Sequence, residues 1–159
     1  MSRLVVTDAG PLIHLSQAGV LSLLELTGEI LVPRTVLDEL ERGPTDISEL
    51  KFTVEQVESD TETAYPHLDS GETTALILCS ERDAVLVTDD LDARTTAKGE
   101  GIEVHGSVGV VLFGYSRGEL SEEAAKRTLR ELKQDTNLYL STPLVDYAIE
   151  LIESGDTGW

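Results

Sequence analysis

What most constrains this chain is an alternation that recurs along its length. Short apolar runs, among them Leu4-Val5-Val6, Ile30-Leu31-Val32 and Val85-Leu86-Val87, are each followed by a stretch with helical spacing. These runs lack the polar residue at every second place that marks a strand wet on one face, so they suit strands buried on both faces. The spacing predicts strands over residues 4–7, 30–32, 52–57, 84–88 and 102–104. Helices are predicted over 11–18, 21–26, 35–42, 69–82, 93–98, 108–115, 122–133 and 143–153. Gly19 separates the first two helices, Gly43 and Pro44 close the third, and Pro33 and Pro143 suit first helical turns. Residues 44–68 are the least legible, with a short helix expected near Ile47 and an acidic loop at 58–63. The pattern predicts a three-layer α/β/α sandwich around a central, mainly parallel sheet, formed by one domain over 1–159 and helical from about residue 108. Right-handed crossovers would then bring the C-terminal ends of the strands to one edge, where ligands bind in such folds.

Acids fall where that edge is expected. Asp8 follows the first strand, and Asp89 and Asp90 follow the strand at 84–88. Glu72 stands in the first turn of its helix, three and four places before Ala75 and Leu76, and so borders a buried face. Glu39 lies three places after Val36 on the helix behind Pro33. Carboxylates brought together repel, and a hard cation such as Mg²⁺ or Mn²⁺ is the usual compensation. Such centres support attack of water on a phosphodiester. Each acid also has a plainer reading. Asp69 and Glu72 form a capping box, Glu39 belongs to the solvated run Asp38-Glu39-Leu40-Glu41, Asp89 and Asp90 open a helix, and Asp8 is a turn residue. Arg94 and Lys98 share a helix face near the proposed site and suit a phosphate backbone. Lys126, Arg127, Arg130 and Lys133 are interleaved with acids and suit pairing along a helix instead.

Composition narrows the setting. The 159 residues carry 40% hydrophobic and 26% charged side chains, the balance of a globular protein. The opening apolar run is broken at Asp8, Gly10 and Pro11, too early for a secretory signal, and no stretch approaches a membrane span. A cytoplasmic protein without membrane contact is therefore expected. Cys79 is the only cysteine and reads as a small core residue, while His14, His67 and His105 show no zinc-ligand spacing. The net charge of −18 is the reverse of a nucleic-acid binder's basic footprint. Either the chain avoids nucleic acid, or it works in concentrated salt, where the Debye length falls to about 3 Å at 1 M. Lysine is scarce and the acids are spread over the whole chain, a halophilic pattern that favours the second account.

Five ordered motifs resemble those of PIN domains. They are VVTDAGPLIHLS (5–16), VPRTVLDEL (32–40), LDSGETTALILCSE (68–81), LVTDDLDAR (86–94) and VHGSVGVVLFGYSRGEL (104–120). They are most similar to the branch whose first strand ends Asp-x-Gly-Pro-Leu and whose fifth strand precedes a Gly-Thr-Leu-Gly-like turn, here Gly-Ser-Val-Gly. The resemblance implies a metal-dependent ribonuclease of the VapC toxin kind, with RNA as substrate, a small antitoxin as partner and a homodimer as assembly. It places the family's acids on Asp8, Glu39 and Glu72, the last often aspartate in the wider family. It leaves the strand-end acid on Asp89 or Asp90, with the Thr-x-Asp form pointing to Asp90. The metal ligands it implies are Asp8, Glu72 and Asp90. Among other classes, a Toprim-type site built on Asp90-Leu91-Asp92 lacks its glutamate after the first strand, and a receiver domain lacks its paired acids and lysine. A non-catalytic PIN-fold interaction module is the remaining alternative.

Overall fold

The structure, a computed structural model, describes residues 3–58, 64–157 and 159. Residues 59–63 of the predicted acidic loop lie outside it. Five strands form one sheet: β1 (Leu4–Thr7), β2 (Glu29–Pro33), β3 (Thr53–Glu55), β4 (Val85–Val87) and β5 (Val104–His105). Their order is β3-β2-β1-β4-β5 and every neighbouring pair is parallel. Successive residues of a strand point to opposite faces, so each apolar run feeds two cores. Val5, Ile30, Val32, Val85 and Val87 face one, and Val6, Leu31 and Leu86 face the other. That is why these strands carry no polar alternation.

The helices are α1 (Ala9–Gln17), α2 (Leu24–Thr27, entered through a 3-10 turn at Leu21–Leu23), α3 (Arg34–Glu41), α4 (Ser70–Arg82), α5 (Leu91–Gly99), α6 (Ser107–Ser116), α7 (Glu122–Gln134) and α8 (Thr142–Ser154). Leu12 and Leu15 of α1, Val110 and Val111 of α6, Leu129 and Leu132 of α7, and Ile152 of α8 cover the first face. Leu76 and Cys79 of α4 and Ala97 of α5 cover the second. Leu76 is fully buried there, and truncating it to alanine would cost about 2–5 kcal/mol. Three layers result, as the alternation predicts. Two of the four basic residues of α7 pair along the helix as expected, Lys126 3.4 Å from Glu122 and Arg127 4.0 Å from Glu131, while Lys126 also reaches Glu153 and Lys133 donates to Thr142, both on α8.

Several local expectations fail for identifiable reasons. Pro33 is not in the first turn of α3. It pairs with Glu55 as the last residue of β2 and precedes the helix with an extended ψ of 142°. No helix forms near Ile47, because the Asp46 carboxylate accepts the Ser48 N–H at 2.8 Å and makes a turn that plugs Ile47 into the core. The strand expected at 102–104 shifts to Val104–His105, since the Ile102 N–H is taken up by Ala97 O at 2.9 Å in closing α5. The strand expected at 52–57 shortens to Thr53–Glu55, and that at 84–88 to Val85–Val87.

Strand order also sets where a site can form. From the central β1 the chain moves to β2 and β3 on one side, then crosses to β4 and β5 on the other. The reversal opens a crevice between the C-terminal ends of β1 and β4.

Candidate functional site

Asp8 sits at that reversal. Its N–H bonds Val87 O at 3.0 Å, extending the β1–β4 ladder by one step before the chain turns into α1. Its carboxylate then caps α1, accepting the Ala9 N–H at 2.8 Å and the Thr88 hydroxyl at 2.9 Å, and the residue is only 7% exposed. The Thr88 hydroxyl also accepts the Asp90 N–H at 3.2 Å, so one fully buried threonine links the acids at the two strand ends.

Asp89 and Asp90 have divided tasks. Asp90 caps α5 by accepting the Ala93 N–H at 2.9 Å, and its carboxylate neighbours Glu72. Asp89 turns the other way. It accepts the Ser107 N–H at 2.7 Å and the Ser107 hydroxyl at 2.5 Å, and lies 2.8 Å from His14 Nδ1. It therefore ties the end of β4 to α1 and to the start of α6. On α4 the capping box is real: Asp69 accepts the Glu72 N–H at 2.8 Å, and Glu72 accepts the Asp69 N–H at 3.0 Å. Glu39 arrives from α3. A Cβ on Gly71 would lie 3.2 Å from Glu39 Oε1 and 3.6 Å from Asp69 Oδ1, so that glycine lets both carboxylates approach.

The result is a cleft of about 270 Å³ lined by Asp8, Glu39, Asp69, Glu72, Asp89 and Asp90, with His14 and residues 137–139 on its wall. Asp8, Glu39 and Glu72 resist ionisation there. Burial pushes Asp8 up to about 6, helped by the charges of Asp69 and Glu39 and opposed by its bonds to Ala9 and Thr88. Burial, then Asp69, raises Glu39. Burial, with Asp69 and Asp90 nearby, raises Glu72 to about 8. Glu72 and Asp90 therefore disfavour being charged together, and a cation between them relieves that.

This donor set suits a hard divalent cation: the acids are oxygen ligands, and their mutual repulsion is what such an ion removes. Among the described residues no three His, Cys, Asp or Glu side chains are already gathered as a ligand set. Asp69, Glu72 and Asp90 each give one carboxylate oxygen to a helix cap and keep the other.

A family model, DUF3368, described as a PIN domain, matches residues 4–154. The chain belongs to the PIN-domain family. PIN domains are in general a metal-dependent nuclease fold, which accords with an acidic cleft at the end of the central strand. A solved PilT N-terminus domain protein from the hyperthermophilic archaeon Sulfolobus solfataricus P2 has the same fold, at a TM-score of 0.53 and 14% identity, over 67% of this chain and 89% of that one. No curated protein matches the chain.

In this PIN domain the acids singled out in the sequence, Asp8, Glu39, Glu72, Asp89 and Asp90, all reach one cleft. Arg94 and Lys98 do not line it. They line an adjoining groove of about 390 Å³ that shares Asp89, Leu138 and Tyr139 with the cleft. Sequence reasoning missed three contributors. Asp69 reads as a cap alone, His14 is passed over for lack of zinc spacing, and the 137–139 segment carries no motif. The signal for His14 was its place on the helix that Asp8 caps, one turn after Gly10 and on the same face.

Proposed function

We propose that this PIN domain is a divalent-metal-dependent ribonuclease that hydrolyses RNA phosphodiester bonds. The observation that carries the reading is Asp8, a buried acid at the end of the central strand, in a cleft that acids from α3, α4 and the β4–α5 turn also enter. Asp8, Glu72 and Asp90 would hold Mg²⁺ or Mn²⁺, with Glu39 beside them. When bound, the ion supplies charge neutralisation and Lewis acidity at the phosphodiester. The protein's own part is positioning. Thr88 orients Asp8 and Asp90 together, and Asp89 braces the β4–α5 turn against His14 and Ser107. Glu72 holds the Asp69 N–H through Oε1 and would offer its other oxygen to the ion.

The resemblance to VapC toxins supports a role as the toxin of a toxin–antitoxin pair, neutralised by a small antitoxin. Tyr147 and Leu144, exposed on α8, suit a homodimer contact. No helix among the described residues is long and apolar enough to cross a membrane, and the acid-rich composition suits a cytoplasm of high salt. The second reading is a non-catalytic PIN-fold module, favoured by the commitment of Asp69 and Glu72 to a capping box. RNA cleavage assays separate the two. The nuclease reading expects cleavage with Mg²⁺ or Mn²⁺, none in chelator, and none from Asp8→Asn. Cleavage by that variant in chelator would point to a contaminant or to another mechanism.

A further inference from the structure

Tyr139 is 90% exposed, the most exposed large hydrophobic side chain among the described residues. Its backbone is nevertheless held on both sides. The Asn137 N–H donates to Gln17 Oε1 on α1 at 3.1 Å, Leu138 packs on the core, and Leu140 is buried. A ring projected into water from an anchored backbone has no packing role that would keep it there. Its position is specific, because it stands where the acidic cleft meets the neighbouring groove. Arg94 and Lys98 lie in that groove, one helical turn apart on α5. Neither has an ion-pair partner among the described residues, in a chain of net charge −18.

Acids, an exposed aromatic ring and two cations thus follow one another along a single surface. We infer that Tyr139 stacks on a base of the bound strand and so selects single-stranded over duplex nucleic acid; the inference rests on the nuclease reading above. The reacting phosphate would lie at the carboxylates, with an adjacent base on Tyr139 and the next phosphate at Arg94 and Lys98. A duplex keeps its base faces stacked on one another, whereas a single strand offers them to an aromatic ring. Salt gives the ring added weight. Phosphate contacts weaken steeply as salt rises, and stacking does not depend on released counterions. For a chain with 30 acids against 12 bases, stacking is the contact that screening leaves intact.

The test is equilibrium binding on an Asp8→Asn background, which keeps the probe whole. The probe is an end-labelled mixed-sequence RNA of about 12 nucleotides, single-stranded or annealed to its complement, read by fluorescence anisotropy over a KCl series. Adding Tyr139→Ala should weaken single-strand binding by about 5- to 100-fold, with an unchanged salt slope and unchanged duplex binding. Tyr139→Phe should restore the affinity. Lys98→Ala should flatten the salt slope by about 0.7. A Tyr139→Ala protein that binds like its parent, or that loses single strand and duplex equally, overturns the inference. So does a Tyr139→Phe protein as weak as the alanine variant. If RNA cleavage by the wild type is intact in those cases, the nuclease reading survives without it. If the parent binds no RNA and the wild type cleaves none, both fall together.

Discussion

Replacing Asp8 with asparagine separates a ligand acid from a purely structural cap. Ionised Asp8 is buried among other acids, and its pKa is raised from 3.8 to about 6 in the fold. The folded state therefore holds this proton more tightly than the unfolded chain does. The stability tied to that proton is complete below pH 4 and is lost as pH rises through 6. The loss at neutral pH is about 3 kcal/mol, from roughly two pK units at 1.36 kcal/mol each. The asparagine amide would keep an oxygen to accept the Ala9 N–H and must re-pair its nitrogen end with Thr88, at a cost of about 1 kcal/mol. Without metal, Asp8→Asn should thus be about 2 kcal/mol more stable than wild type at pH 7.5. That raises Tm by about 4–8 °C for a domain of this size, and at pH 4, where wild type keeps its proton, the gain should give way to a loss of about 1 kcal/mol. Mn²⁺ should act oppositely, stabilising wild type by about 2.7 kcal/mol at a hundredfold excess over Kd and the variant by little. Thermal melts at both pH values, with and without Mn²⁺ at constant high ionic strength, read all of these. A variant less stable than wild type at every pH, or an equal Mn²⁺ shift in both proteins, would refute Asp8 as a ligand and leave it a helix cap.

Three other outcomes are expected. Melting temperature should rise as KCl goes from about 0.05 M towards a few molar, because screening relieves the repulsion of 30 acids against 12 bases; a flat response would sink the halophilic reading. Sedimentation in high salt should show a homodimer, and a clean 17.3 kDa monomer at tens of micromolar would count against it. Gly106→Ala would put a Cβ 2.6 Å from Arg94 Nη1, 2.8 Å from Asp89 Oδ1 and 3.3 Å from Thr88 O. That should cost about 1–3 kcal/mol in a chemical melt, whereas Gly99→Ala, with nothing within 4 Å, should be harmless; equal effects would mean that the approach of Asp89 to Gly106 is unimportant.

The fold class was legible in the sequence because strands buried on both faces must be apolar at every position, and only a sheet covered on both sides meets that demand. The acids after β1 and β4 were legible for a related reason, since parallel strands end at one edge whatever their order. Boundaries were less so. Pro33 pairs in a strand and Ile102 closes a helix because hydrogen-bond partners outside their own runs claim them, and no local propensity records that. Asp89 and Asp90 show the limit most clearly. Adjacent and identical in sequence, they part only in three dimensions, where the N-terminus of α6 and His14 take one carboxylate and Glu72 faces the other. Tyr139 is similar: the residues that fix its backbone, and the acids and cations it stands between, come from elements as distant as α1 and α5. Periodicity and chain order therefore determined the layers and the acidic edge, while contacts across the sheet decided which acids meet, which also cap helices and what stands at the rim.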